Sequence, residues 1–169
     1  MAEVVATRSD PITSREEQEI RWPGVNFGYG CIIDPDVQIG EGTTLRNHVE
    51  IRSGVRIGRN CYIDSQVVCT GNAHIFEGVT LRVGVVVARG SRIDDGAYLA
   101  PRVMFNNLDT EQKSIGGAHV GPKCFIGTHA VLQHGITLAR GTVVGALAFV
   151  NRDTDGGTWL GIPARKCGS

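Results

Sequence analysis

A six-residue period runs through most of this chain. Stepping by six from Phe27 gives Phe27, Ile33, Ile39, Leu45, Ile51, Ile57, Ile63, Cys69, Ile75, Leu81, Val87, Ile93, Leu99 and Phe105, all apolar. At 41% apolar content, chance produces such a run about four times in a million per phase. The phase breaks after Phe105 and resumes as Val120, Ile126, Leu132, Leu138, Val144 and Val150. Four residues after each step the side chain is small or β-branched, as in Cys31, Val37, Thr43, Ala73 and Ala97, and later in Cys124 and Ala148. Three residues after each step Gly or Asn recurs, as at Gly30, Gly42, Asn60, Asn72 and Gly141. Both tolerate positive φ, so that position is a repeated corner.

A period of six is neither helical nor a simple strand alternation. A large apolar residue, a corner and a small inward residue describe short strands joined by tight turns. Stacked coils of such strands pair their backbones about 4.8 Å apart. The pattern therefore predicts an all-β fold, a parallel β-helix in which each coil buries its inner face against the next. Three hexads per coil give about six to seven coils. The period itself carries no handedness, and right-handed crossovers are the general rule. The hexad Ile39-Gly40-Glu41-Gly42-Thr43-Thr44 resembles the hexapeptide pattern of left-handed parallel β-helices, and left-handed is the expectation adopted.

Residues 1–23 read as an N-terminal arm. Thr13 to Trp22 suits a short helix. Thr13 with Glu16, or Ser14 with Glu17, would form a capping box, and Pro23 would end the helix. The arm would cover the open end of the first coil. The solenoid is expected over 24–155, with a tail over 156–169.

Composition narrows the function. The 17 Lys and Arg balance the 17 Asp and Glu, which argues against a nucleic-acid partner. No run approaches the roughly 18 apolar residues of a membrane span, and the N-terminus lacks a signal-peptide core. Five cysteines without CxxC spacing suit a reduced, cytoplasmic protein without a structural zinc. Cys31, Cys61, Cys69 and Cys124 fall on inward positions and read as core thiols.

Departures from a regular scaffold are where chemistry is to be sought. Phe105 to Val120 spans fifteen residues instead of six, so a loop over 106–119 leaves the coil. It carries Asn106, Asn107, Asp109, Glu111, Lys113 and His119.

The segment RIDDGAYLAPRVMFNN (92–107) and the later VGPKCFIGTHAVLQHGITLARGTVVGALAFV and GTWLGIPARK resemble the nucleotide-sugar N-acetyltransferases of the hexapeptide-repeat class. That resemblance implies a homotrimer with active sites between subunits. It implies acetyl-CoA as donor and the amine of a nucleotide-linked amino sugar as acceptor. Asn107 matches the asparagine of the family's Phe-x-Asn, which hydrogen-bonds the reacting amine. The amine would attack the thioester directly, with much of the rate coming from orientation. Asn106 and Arg89 would lie on the acceptor side; Arg89 stands where relatives often carry a glutamate. On the CoA side, Gly127, Gly145, Ala146 and Ala148 would leave backbone groups open to the pantetheine amides. Arg165 and Lys166 would meet the phosphates, with Lys123 a weaker candidate.

Five histidines bear on alternatives. His48 and His129 occupy corner positions, and His74 and His134 point outward. His119, where the loop rejoins the coil, suits a general base. A histidine base would fit an O-acetyltransferase, with His119 or His129 in that role. His129 and His134 are spaced as in the γ-class carbonic anhydrases, but the motif's register puts Thr128 and Gln133 at the ligand positions, and no metal is expected. A non-catalytic solenoid is the remaining reading.

Overall fold

The computed structural model describes residues 10–113 and 116–168. Two-residue strands recur every six residues and stack into three parallel sheets that form the sides of a prism. Face 1 has nine strands, from Asn26–Phe27 through Tyr62–Ile63 and Tyr98–Leu99 to Thr158–Leu160 and Arg165–Lys166. Face 2 has seven, from Ile32–Ile33 through Met104–Phe105 to Phe149–Val150. Face 3 has six, in chain order Gln38–Ile39, Arg56–Ile57, His74–Ile75, Arg92–Ile93, His119–Val120 and Thr137–Leu138. The chain visits faces 1, 2 and 3 in turn, so each residue lies against the one eighteen positions on: Phe27 against Leu45, Ile33 against Ile51, Ile39 against Ile57.

The hexad residues form the core. Ile33, Ile51, Ile63, Leu81, Ile93, Leu99, Ile126, Leu132 and Leu138 are fully buried, and the small positions between them, such as Val49, Val67, Ala97 and Ala130, are closed as well. In two-residue strands one side chain points in and its neighbour out, so a column of inward Ile, Leu and Val fills the prism. The four hexad cysteines are buried within it. Positive φ recurs at the expected corners, including Asn60 at 55° and His48 at 57°.

Both ends of the stack are closed. Helix Arg15–Arg21 lies over the first coil. Its buried Gln18 donates from Nε2 to the carbonyls of Ile12 and Cys31 at 3.0 and 2.9 Å. Trp22 Nε1 donates to Val37 O at 3.0 Å. Ile12 bridges antiparallel to Ile33. These bonds occupy strand edges that would otherwise lack partners. The capping box does not form: Ser14 is the N-cap, but its side chain makes no capping bond. Fixation through Gln18 and Trp22 makes that cap dispensable. Residues 1–9 of the arm lie outside the described residues. At the far end the stack runs past residue 155: Thr158–Leu160 adds a parallel strand beside Val143–Val144, and Arg165–Lys166 folds back antiparallel on it.

Candidate active site

The regular coil breaks between faces 2 and 3 of the fifth coil. After Phe105 the chain leaves the prism and returns at His119–Val120, which pairs with Arg92–Ile93 in the coil below. The 27-residue offset of this pair replaces the usual eighteen, so nine residues are extruded. The described part of the loop is ordered by its own contacts. Asp109 Oδ1 accepts the N–H groups of Glu111 and Lys113, each at 2.9 Å. The return is tightly packed, because a Cβ on Gly117 would stand 2.6 Å from the backbone nitrogen of Ser91.

The loop's return delivers His119 onto the outer side of face 3. There its Nε2 lies 2.8 Å from Asp94 Oδ2. Asp94 belongs to the coil below, at the turn that follows strand Arg92–Ile93. Its side chain is 13% exposed and that of His119 is 38% exposed. Arg92 Nε lies 2.7 Å from the other carboxylate oxygen of Asp94. The same guanidinium covers the Phe76 ring at 4.1 Å. Asp94 is thus held from one side and holds the imidazole from the other. With Nε2–H donated to the carboxylate, Nδ1 carries the free lone pair. A carboxylate-oriented imidazole with one accessible nitrogen is the arrangement of a general base.

The other expected residues fall into three places. Asn106 and Asn107 stand at the foot of the loop. Asn106 Nδ2 donates to Gln133 Oε1 in the next coil at 3.1 Å, which fixes the strand end from which Asn107 follows. Asn107 is half-buried. Arg89 occupies the same corner one coil below, but its guanidinium donates to Thr70 O at 3.3 Å, toward the coil beneath and away from Asn107.

His129 is not with them. It lies with Gly127, Gly145 and Ala146 at the corner between faces 1 and 2, where its φ is 59°. Face 2 separates this corner from the loop, so the chain does not bring His129 together with Asn107 and His119. At three of the positions expected to offer open backbone groups, the N–H is already paired within the chain. Gly127 N–H donates to Val144 O at 2.8 Å, Gly145 N–H to Trp159 O at 2.9 Å and Ala148 N–H to Gly145 O at 3.3 Å. Ala148 also points inward and is buried. Gly127 and Gly145 use these amides to bind the next coil, and Ala148 uses its own to close the turn within its coil.

At the end of the stack, Lys166 Nζ donates to Asp155 Oδ1 at 2.9 Å, and Arg165 donates to its neighbour's carbonyl, Ala164 O, at 2.9 Å. Lys123 caps a corner between faces 3 and 1, with φ 57°. His129 and His134 sit at opposite ends of strand Val131–Leu132, on two different corners. Among the described residues no three His, Cys, Asp or Glu side chains cluster to hold a metal, and no helix is long and apolar enough to cross a membrane. Sequence reasoning missed Asp94 and Arg92. The signal was present: with the loop removed, position 119 stacks on 92, and Asp94 is the first residue beyond that strand.

The family model for bacterial transferase hexapeptide, six repeats, matches residues 36–71. The chain is a hexapeptide-repeat solenoid. This repeat fits a left-handed β-helix of about seven turns. Among solved structures, the chain is similar to GDP-perosamine N-acetyltransferase from Caulobacter crescentus in complex with CoA and GDP-perosamine, at 25% identity and a TM-score of 0.50, over 86% of this chain and 58% of that one. It is also similar to the acetyltransferase domain of PglB from Neisseria gonorrhoeae, at 20% identity and a TM-score of 0.58, over 81% and 57%. A third similar structure is AntD, an N-acyltransferase from Bacillus cereus in complex with dTDP and coenzyme A, at 18% identity and a TM-score of 0.55, over 91% and 88%. The hexapeptide-repeat chain therefore spans little more than half the length of the first two.

Proposed function

We propose that this protein is an acyl-CoA-dependent transferase that moves an acetyl group from acetyl-CoA to the amine of a nucleotide-linked amino sugar. The observation that carries this reading is the His119–Asp94 pair at the return of the loop that begins with Asn106 and Asn107. The similarity to N-acyltransferase structures with CoA, GDP-perosamine or dTDP bound supports the donor and the acceptor class.

The steps follow from the groups present. An amino-sugar amine reaches the site largely as an ammonium and must lose a proton to become a nucleophile. Nδ1 of His119 takes that proton, and Asp94 stabilises the imidazolium formed. Asn107 aligns the amine through its amide. The nitrogen lone pair attacks the thioester carbon, the C–S bond breaks, and the sulfur leaves with the electron pair. The attacking nitrogen's second proton passes to that sulfur, giving free CoA and the N-acetyl product, and the proton held by His119 is released to solvent. Alignment and proton transfer are each worth several orders of magnitude in rate.

In this reading the protein works as a cytoplasmic homotrimer. The corner of one subunit that carries Gly127, His129, Gly145 and Ala146 would then face the loop of the next and line the donor channel. Arg165 and Lys166 would border the phosphates of CoA. The same imidazole–carboxylate pair favours one second reading, transfer to a hydroxyl, because a hydroxyl needs a base to attack a thioester. The test is thiol release from acetyl-CoA across nucleotide-linked amino sugars, amine-free nucleotide sugars and simple hydroxyl acceptors. Release with certain amino sugars alone is the expected result. Release with hydroxyl acceptors alone would replace this reading with the second.

A further inference from the structure

Face 3 differs from the other two faces in what it presents to solvent. From the first coil to the fifth its outward residues are Gln38, Arg56, His74, Arg92 and His119, and Thr137 follows in the sixth. At matching coils face 2 presents Glu50, Val68 and Val86, and face 1 presents Thr44, Tyr62 and Thr80. Over its first five coils face 3 is therefore a column of nitrogen-bearing side chains spaced about 4.8 Å apart.

Below the His119–Asp94 pair this column floors a groove. Two adjoining cavities of about 320 Å³ each share Gln38, Arg56 and His74 as lining residues. Asn72 stands on one rim and Phe76 on the other. The charges along the column are not equivalent. Arg92 is engaged by Asp94 and Phe76. Arg56 is exposed and pairs with no carboxylate among the described residues. His74 is held against Phe76, with ring centroids 5.0 Å apart. Two carboxylates border the groove. Asp36 Oδ2 already accepts from Ser53 Oγ and Gly54 N–H, each at 2.9 Å. Glu77 lies at the exposed outer rim.

A guanidinium without a carboxylate partner, an imidazole and two side-chain amides around one groove offer N–H donors and positive charge to an anion with several oxygens. We infer that this groove holds the diphosphate of the acceptor, contacted by Arg56 and His74. From Arg56 to His119 is three coils, roughly 14 Å, which suits a nucleoside diphosphate sugar lying along face 3 with its amine at His119. That orientation rests on the proposed acyl transfer; the anion site itself does not.

The experiment is calorimetric titration of the full chain with inorganic pyrophosphate and with UDP, GDP and dTDP. The variants are Arg56→Gln, His74→Gln and, as a control on the neighbouring corner, Arg59→Gln. Diphosphate binding is expected to weaken about tenfold or more in Arg56→Gln, the size of one lost charged contact. It is expected to weaken in His74→Gln and to persist in Arg59→Gln, with thermal melting unchanged in all three. CoA is expected not to displace pyrophosphate. Absence of diphosphate binding, or equal loss in Arg59→Gln, overturns the inference. Displacement by CoA also overturns it, by giving the groove to the donor. If no acceptor is acetylated while diphosphate binding still depends on Arg56, the activity reading fails and the anion site stands.

Discussion

His119 and Asp94 are 25 residues apart in sequence, yet their side chains meet at 2.8 Å because the extruded loop sets His119 one coil above Asp94. Without the extra residues, a different side chain would stack on Arg92. The insertion therefore does two things: it projects a loop from the prism and it sets the register that assembles the pair.

That register makes the pair separable by mutation. His119→Ala is expected to lower kcat about 10²- to 10⁴-fold, the usual worth of a general base. Asp94→Asn keeps the shape but removes the charge that orients and stabilises the imidazole. It is expected to lower kcat by less, in the same direction, with little change in KM for acetyl-CoA. Steady-state kinetics on proteins with unchanged melting temperature checks both.

Gly117→Ala tests the loop's return. A Cβ there would press on the Ser91 side chain and on its backbone nitrogen at 2.6 Å, and backbone cannot move aside cheaply. The expected cost is about 1–3 kcal/mol of stability, with a loss of activity because His119 lies two residues on. Denaturant unfolding and kcat measured together check it; wild-type values in both would show that the return is not tightly packed.

The core cysteines give a pH signature. Burial pushes Cys69 from its ordinary 9.0 up to about 12, and it raises Cys31, Cys61 and Cys124 as well. A thiol reagent at pH 8 is expected to titrate Cys167 quickly in the native protein, and the other four only on unfolding. The unfolded chain ionises its thiols near 9.0 while the folded one resists. The stability these groups contribute is therefore complete below pH 9 and lost as pH rises toward 12. Chemical denaturation between pH 8 and 11 checks the direction.

The fold was legible because the repeat constrains every coil. The step residues from Phe27 to Val150 predict a single inward column, and it is buried as expected apart from the partly exposed Ile39. Arm closure was legible only as a need: nothing in the sequence marks Gln18 as the buried donor to Ile12 and Cys31. The site was legible in part. The loop and the place of His119 at its return follow from the break in phase, the choice of Asn107 rests on the family resemblance, and Asp94 requires restacking the coils across the insertion. At Gly127, Gly145 and Ala148 the sequence does not separate a donor-side role from coil packing, because small residues at a corner serve tight stacking as readily as an open backbone group, and their N–H groups are used within the chain.

Asn107 begins the loop and makes the most local test of acceptor alignment. Asn107→Ala is expected to reduce turnover strongly and leave the fold and oligomeric state unchanged. Scattering-derived mass and melting temperature establish the second part before kinetics are compared.

The central claim is transfer from acyl-CoA to an amine at the His119–Asp94 site. Its most direct test is single-turnover CoA release from acetyl-CoA with a nucleotide-linked amino sugar, followed in wild type and in His119→Ala. The account predicts acceptor-dependent release in wild type and a rate at least about 10²-fold lower in the variant. Equal rates in the two proteins, with product formed in both, would contradict it.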